Sequence, residues 1–166
     1  KLCSRVERLP KVTIAAMEGE VVGGGFQLAL VCDSRIASPS ASFQLNEVFL
    51  GFLPGMACFR LAKYVGLGRA KRIIMQCPVF DAHQAVSLGL VDDVFYEIDD
   101  GIEKTIEIFG PIHTVTIELS RRLLNESFAT DFENAIGNFL AAQHRAITQT
   151  AFLETLRANR NDGSDE

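Results

Sequence analysis

The stretch Ala15-Ala16-Met17-Glu18-Gly19-Glu20-Val21-Val22-Gly23-Gly24-Gly25-Phe26-Gln27-Leu28 decides the fold. It joins an apolar run of strand length, Val12 to Met17, to the apolar pattern Phe26 to Val31, which reads as a helix, through three consecutive glycines. Glycines let a backbone approach a ligand closely, and the first N–H groups of a helix lack partners within it and carry the positive end of its dipole. Such a junction suits a developing oxyanion. The same glycines also read as a tight turn or as close helix packing. No Gly-Lys-Ser/Thr follows and the spacing is not G-x-G-x-x-G, so phosphate cradling is the weaker reading.

Downstream, Arg35 to Ser38 and Ser42 to Leu45 read as short strands around a turn at Pro39 and Ser40, which leaves Asn46 and Glu47 at a strand end. In Phe43-Gln44-Leu45-Asn46-Glu47-Val48-Phe49-Leu50-Gly51-Phe52-Leu53-Pro54-Gly55 a single carboxylate sits among apolar residues. Desolvation disfavours the charged form of a carboxyl group, which is how such groups become proton shuttles near neutral pH. Glu47 is the candidate acid/base. The plain alternative is a strand-end glutamate facing solvent.

Helical spacing follows over Met56 to Val65 and Gly68 to Met75, and Asp81 reads as the N-cap of Ala82 to Leu88, ended by Gly89. Val91 to Val94, flanked by acids, reads as an exposed turn. Gly101 to Phe109, Val115 to Asn125 and a long stretch from Asp131 to about Ala158 read as helices, and the polar tail Asn159 to Glu166 as frayed. Upstream, Leu2 to Leu9 reads as a helix end stopped by Pro10. The pattern changes from mixed α/β to helical near Asp100, which divides a core over 1–100 from a helical subdomain over 101–166.

The chain is 48% hydrophobic and 22% charged over 166 residues, which suits a packed domain rather than disorder. Its apolar runs fall far short of the roughly 20 residues of a membrane span, so no membrane partner is expected. A net charge of −5 offers no footprint for a polyanion, and no nucleic-acid partner is expected despite the local run of Lys63, Arg69, Lys71 and Arg72. Cys3, Cys32, Cys58 and Cys77 are isolated and have no histidine at ligand spacing, which argues against a metal site and fits a reducing compartment. His83, His113 and His144 are further acid/base candidates by residue type; His83, in a short helix beside Gln84, and His144, on a terminal helix beside Arg145, read against a catalytic role. Asp33 reads as a strand anchor, and Arg35 as the partner of an acid.

The strand ending in A-A-x-x-G, the G-G-G turn, Cys32-Asp33-Ser34-Arg35-Ile36-Ala37 (against C-D-x-R-I-A), the glutamate loop and L-G-x-x-P-G resemble the signature of the crotonase family, the enoyl-CoA hydratases and isomerases. Val65-Gly66-x-Gly68-Arg69-Ala70 and Ala85-x-x-x-Gly89-Leu90-Val91-Asp92 extend the resemblance downstream. It implies the crotonase α/β fold, parallel strands stacked into a β-β-α spiral, with C-terminal helices that assemble a homotrimer or hexamer. It also implies acyl-thioester chemistry through an enolate. The N–H of Gly24 becomes one oxyanion donor, Glu47 the acid/base, and Gly23, Gly25, Gln27, Pro54 and Gly55 residues around the substrate. The substrate is a coenzyme A thioester or a carrier-bound one, with no separate cofactor. The family's second oxyanion donor and much of its CoA pocket precede the residues matched here, so the chain resembles the C-terminal two-thirds of a subunit. The expected compartment is the cytoplasm, or the mitochondrion or peroxisome in a eukaryote.

Family hydratases carry a second glutamate where this chain has Gln27, and an amide cannot exchange a proton usefully at neutral pH. Leu45-Asn46-Glu47 also resembles the L-N-E of enoyl-CoA isomerases. Double-bond isomerisation, from 3-enoyl to 2-enoyl, is therefore the favoured reading. The alternatives are hydration, the dehydrations and decarboxylations of polyketide-type biosynthesis suggested by Pro54-Gly55-Met56, and a non-catalytic or RNA-binding role. Phe128, Phe132, Ile136, Phe139 and Leu140 are expected to cover either the chain's own core or a neighbour's.

Overall fold

The computed structural model describes residues 2–162, and side chains among them up to residue 158. Two compact units divide between Gly110 and Pro111.

In the first unit α1 (Leu2–Glu7) ends ahead of Pro10, and the chain then climbs in repeats that place one strand in each of two sheets. β1 (Ile14–Met17) enters the first sheet, and Gly19, at φ 61°, turns the chain into β2 (Glu20–Val22) of the second. After α2 (Gly24–Ala29), β3 (Ser34–Ala37) returns to the first sheet and pairs parallel with β1; β4 (Ser42–Gln44) returns to the second and pairs parallel with β2. The corners of successive turns bond to each other, Ser38 N–H to the Met17 carbonyl at 2.9 Å and Ser42 N–H to the Gly19 carbonyl at 2.8 Å. Asp33 anchors the climb by accepting from the N–H and the hydroxyl of Thr13, both at 2.8 Å.

α3 (Gly55–Val65) and α4 (Leu67–Gln76) follow, then β5 (Phe80–Asp81), antiparallel to β4, and α5 (Ala82–Ser87), whose N-cap is Asp81 in a capping box with Gln84. Phe26 of α2, Phe43 of β4 and Phe80 of β5 meet in the core with ring centroids 5.4 to 5.9 Å apart. These rings tie a helix and two strands of the second sheet into one apolar cluster.

Three readings need correction. Val91 to Val94 is not an exposed turn: Leu90 and Val91 are buried and β6 (Asp93–Val94) pairs parallel with β3. The flanking acid that suggested exposure is engaged, because both carboxylate oxygens of Asp92 accept from Arg35 and its N–H donates to the Arg35 carbonyl. Val12 to Met17 is not wholly buried either; β1 is an outer strand of its sheet among the described residues, and Ala16 is exposed. The long helix after Asp131 breaks at Thr148 and Gln149 into α8 (Phe132–Ile147) and α9 (Thr150–Asp162). The rest of the tail read as frayed lies outside the described residues.

α6 (Ile98–Phe109) packs on β1 and β3, so the first unit ends one helix beyond the change of pattern near Asp100. The second unit contains α7 (Thr114–Glu126), which packs on α8, and α9, which also packs on α8. Asp131 caps α8 by accepting the Asn134 N–H at 2.9 Å. Phe128, Phe132, Ile136, Phe139 and Leu140 are exposed.

Candidate active site

The glycine junction is built around Gly23. Its N–H donates to the Gln44 carbonyl at 2.9 Å, prolonging the β2–β4 pairing, and its own carbonyl accepts the Gln27 N–H at 2.9 Å, starting α2. One residue thus ends a strand and opens a helix, at φ 52° and ψ −117°, a conformation that favours glycine. Gly24 is the first residue of α2, so its N–H has no partner within the helix, and Gly24 and Gly25 are exposed.

Glu47 follows β4 and is only 3% exposed. Its carbonyl accepts the N–H groups of Leu50 at 3.0 Å and Phe52 at 3.1 Å, which folds the apolar loop into a tight turn. One carboxylate oxygen, Oε1, accepts from Nε2 of Gln27 at 2.6 Å. The other, Oε2, is buried without a hydrogen-bond partner. Buried carboxylate oxygens are ordinarily satisfied, so this one calls for a chemical explanation.

Gln27 is held from its other end by α3. Pro54 is buried and precedes the helix, where its missing N–H is no loss, and the N–H groups of Met56 at 2.9 Å and Ala57 at 3.3 Å donate to the Gln27 Oε1. A Cβ on Gly55 would lie 3.9 Å from that same oxygen. The structure therefore brings together Gly23, Gln27, Glu47 and the start of α3, with Pro54 and Gly55 beside Gln27. The α3 amides are the members of this cluster that the sequence reading missed; Pro54 ahead of a helical pattern was the available signal.

The other candidates fall elsewhere. His83 is exposed on α5, and His113 and His144 lie in the second unit, His113 within 3.1 Å of the Thr155 hydroxyl. Lys63 stands 4.0 Å from the ring centroid of Phe59. Arg69 and Arg72 line a cavity of about 490 Å³ together with Gln76, Phe80 and Gln84, and Glu47 is not among its lining residues.

The family model for enoyl-CoA hydratase/isomerase matches residues 1–160. The crotonyl-CoA hydratase of Syntrophomonas wolfei is 35% identical over 170 residues, covering 96% of this chain and 65% of that protein. The enoyl-CoA isomerase/hydratase of Mycosarcoma maydis is 42% identical over 95 residues, covering 56% of this chain and 35% of that protein. The crystal structure of an enoyl-CoA hydratase from Bacillus anthracis matches with a TM-score of 0.89 at 30% identity, covering 96% of this chain and 63% of that one. The chain belongs to the enoyl-CoA hydratase/isomerase family and has its crotonase α/β fold. It spans less than two thirds of the length of these relatives.

Proposed function

We propose that the protein carrying this chain moves the double bond of a 3-enoyl thioester, with coenzyme A as the favoured carrier, to the 2 position. One observation carries the reading: the buried carboxylate of Glu47 faces a neutral amide, Gln27, and not a second carboxylate. Isomerisation needs a single base. Glu47 takes a proton from C2, the C–H electron pair enters the thioester as an extended enolate, and the negative charge collects on the carbonyl oxygen. The Gly24 N–H donates to that oxygen. Glu47 then returns the proton to C4, so that the C2–C3 double bond forms as the C3–C4 double bond is lost, with no net gain of atoms.

Hydration is the second reading, favoured by the names of the Syntrophomonas wolfei and Bacillus anthracis relatives. It adds a water across the double bond, and two carboxylates serve that better than one. The exposed apolar residues of α8, Phe132, Ile136 and Phe139, support assembly of the chain into a homotrimer or hexamer. The test is product analysis after incubation with 3-enoyl-CoA and with 2-enoyl-CoA. Migration without a gain of water supports the proposal; rapid hydration of 2-enoyl-CoA with no migration overturns it.

A further inference from the structure

We propose that Gln27 is a positioning residue that commits a single oxygen of Glu47, Oε2, to proton transfer. The inference rests on the reading of Glu47 as the base. Backbone N–H groups only donate, so the amides of Met56 and Ala57, at 2.9 and 3.3 Å, fix the Gln27 carbonyl oxygen towards α3. The Gln27 NH2 group is then turned to Glu47, where it donates to Oε1 at 2.6 Å. An oxygen that accepts such a bond is a poor site for a proton, because the bond favours its charged form. Oε2, buried and unpartnered, is left as the oxygen that gains and gives up the proton.

The same geometry explains what an amide does here that a carboxylate would not. A glutamate at position 27 would accept the same two α3 amides, but its second oxygen would stand about where Nε2 now stands, 2.6 Å from Glu47 Oε1. Two carboxylates at that distance share a proton and titrate as a pair. With Gln27 no such pair exists. The other elements around Glu47 bring little charge: α2, β4 and the loop Val48 to Leu53 contain no ionisable side chain. Glu20 of β2 and the Cys58 thiol of α3 are exposed; farther along α3, Arg60 is bound to Glu7 and Lys63 lies on the Phe59 ring.

The test is the pH profile of kcat/KM for isomerisation in wild type, Gln27→Glu, Gln27→Met and Glu47→Gln, with thermal melts on all four. Gln27→Glu adds a competing carboxylate and Gln27→Met removes the donor to Oε1. Both favour the protonated form of Glu47, so the acid limb of each profile moves to higher pH, by roughly one unit, a tenfold loss of rate below the limb. Acid limbs unmoved in both folded variants overturn the proposal, whatever happens to the melting temperature. If Gln27→Glu does not fold, Gln27→Met alone decides in the same way. Activity retained in Glu47→Gln instead sinks the reading of Glu47 as the base.

Discussion

A Cβ added to Gly23 would lie 3.2 Å from Oε1 of Glu47 and 3.6 Å from its Cδ, so the residue that opens α2 is also a wall of the carboxylate's pocket. Contact at that distance is tight, and the positive φ of Gly23 disfavours any side chain as well. Gly23→Ala is expected to displace Glu47 from Gln27, lower kcat at least about tenfold and lower the melting temperature. Steady-state kinetics with a parallel melt checks both; wild-type kcat in a folded Gly23→Ala would show that the pocket tolerates the shift.

Gly101 and Gly68 make opposite predictions. A Cβ on Gly101 would come within 2.5 Å of the Phe95 ring and 3.1 Å of Ile36, while one on Gly68 meets nothing within 4 Å. Phe95 cannot retreat freely, since its N–H is bonded to the Ala37 carbonyl at 2.9 Å. Gly101→Ala should cost about 1–3 kcal/mol by overpacking, and Gly68→Ala, early in α4, should gain about 0.5 kcal/mol. Denaturant titration measures both.

Arg35 is buried and uses three nitrogens at once, Nε to the Leu90 carbonyl at 2.8 Å, Nη1 to the Cys32 carbonyl at 3.0 Å and Nη2 to Asp92 at 2.8 Å, with the Tyr64 ring centroid 4.7 Å from its guanidinium carbon. A lysine cannot reproduce that planar fork. Arg35→Lys should destabilise the fold by about 2–4 kcal/mol, because it leaves buried carbonyls and Asp92 short of donors. A loss within error of wild type would mean that backbone pairing and packing hold β6 without the guanidinium.

Asp131 gives a pH prediction. Hydrogen bonds from the backbone and side chain of Asn134 hold its carboxyl below the usual carboxylate range. A group depressed in the folded state contributes its stability above its unfolded value and loses it as pH falls through the folded one. The start of α8 should therefore fray as pH drops through the acidic carboxylate range. Asp131→Ala should fray at neutral pH and show less further change. Amide exchange across Phe132 to Ala135 checks this.

Much of the chain punctuates itself. Pro10, Gly66, Asp81 and Gly89 mark helix ends in the sequence and in the structure alike, since each acts through local backbone geometry. Strand partnership is not local. β3 and β4 are separated only by a short turn yet belong to different sheets, and β2, three residues long, is too short to show alternation. β6 was hidden because Asp92 reads as a surface acid until its partner Arg35 is known.

The burial of Glu47 was legible, but its cause was not. Its apolar neighbours Val48, Phe49, Leu50, Phe52 and Leu53 are themselves exposed. Gly23 and Gln27, distant in sequence, pack directly against the carboxylate. The contacts of Gln27 were hidden for a similar reason, because its oxygen accepts from backbone amides of α3, and any residue type but proline supplies those.

The most direct measurement is deuterium exchange at C2 of 3-enoyl-CoA in D2O, followed by NMR, for wild type and Glu47→Gln with matched thermal melts. Exchange and double-bond migration are expected in wild type, with a loss of both, by about a hundredfold or more, in a folded Glu47→Gln. Exchange at the wild-type rate in that variant would contradict the central claim that Glu47 is the base.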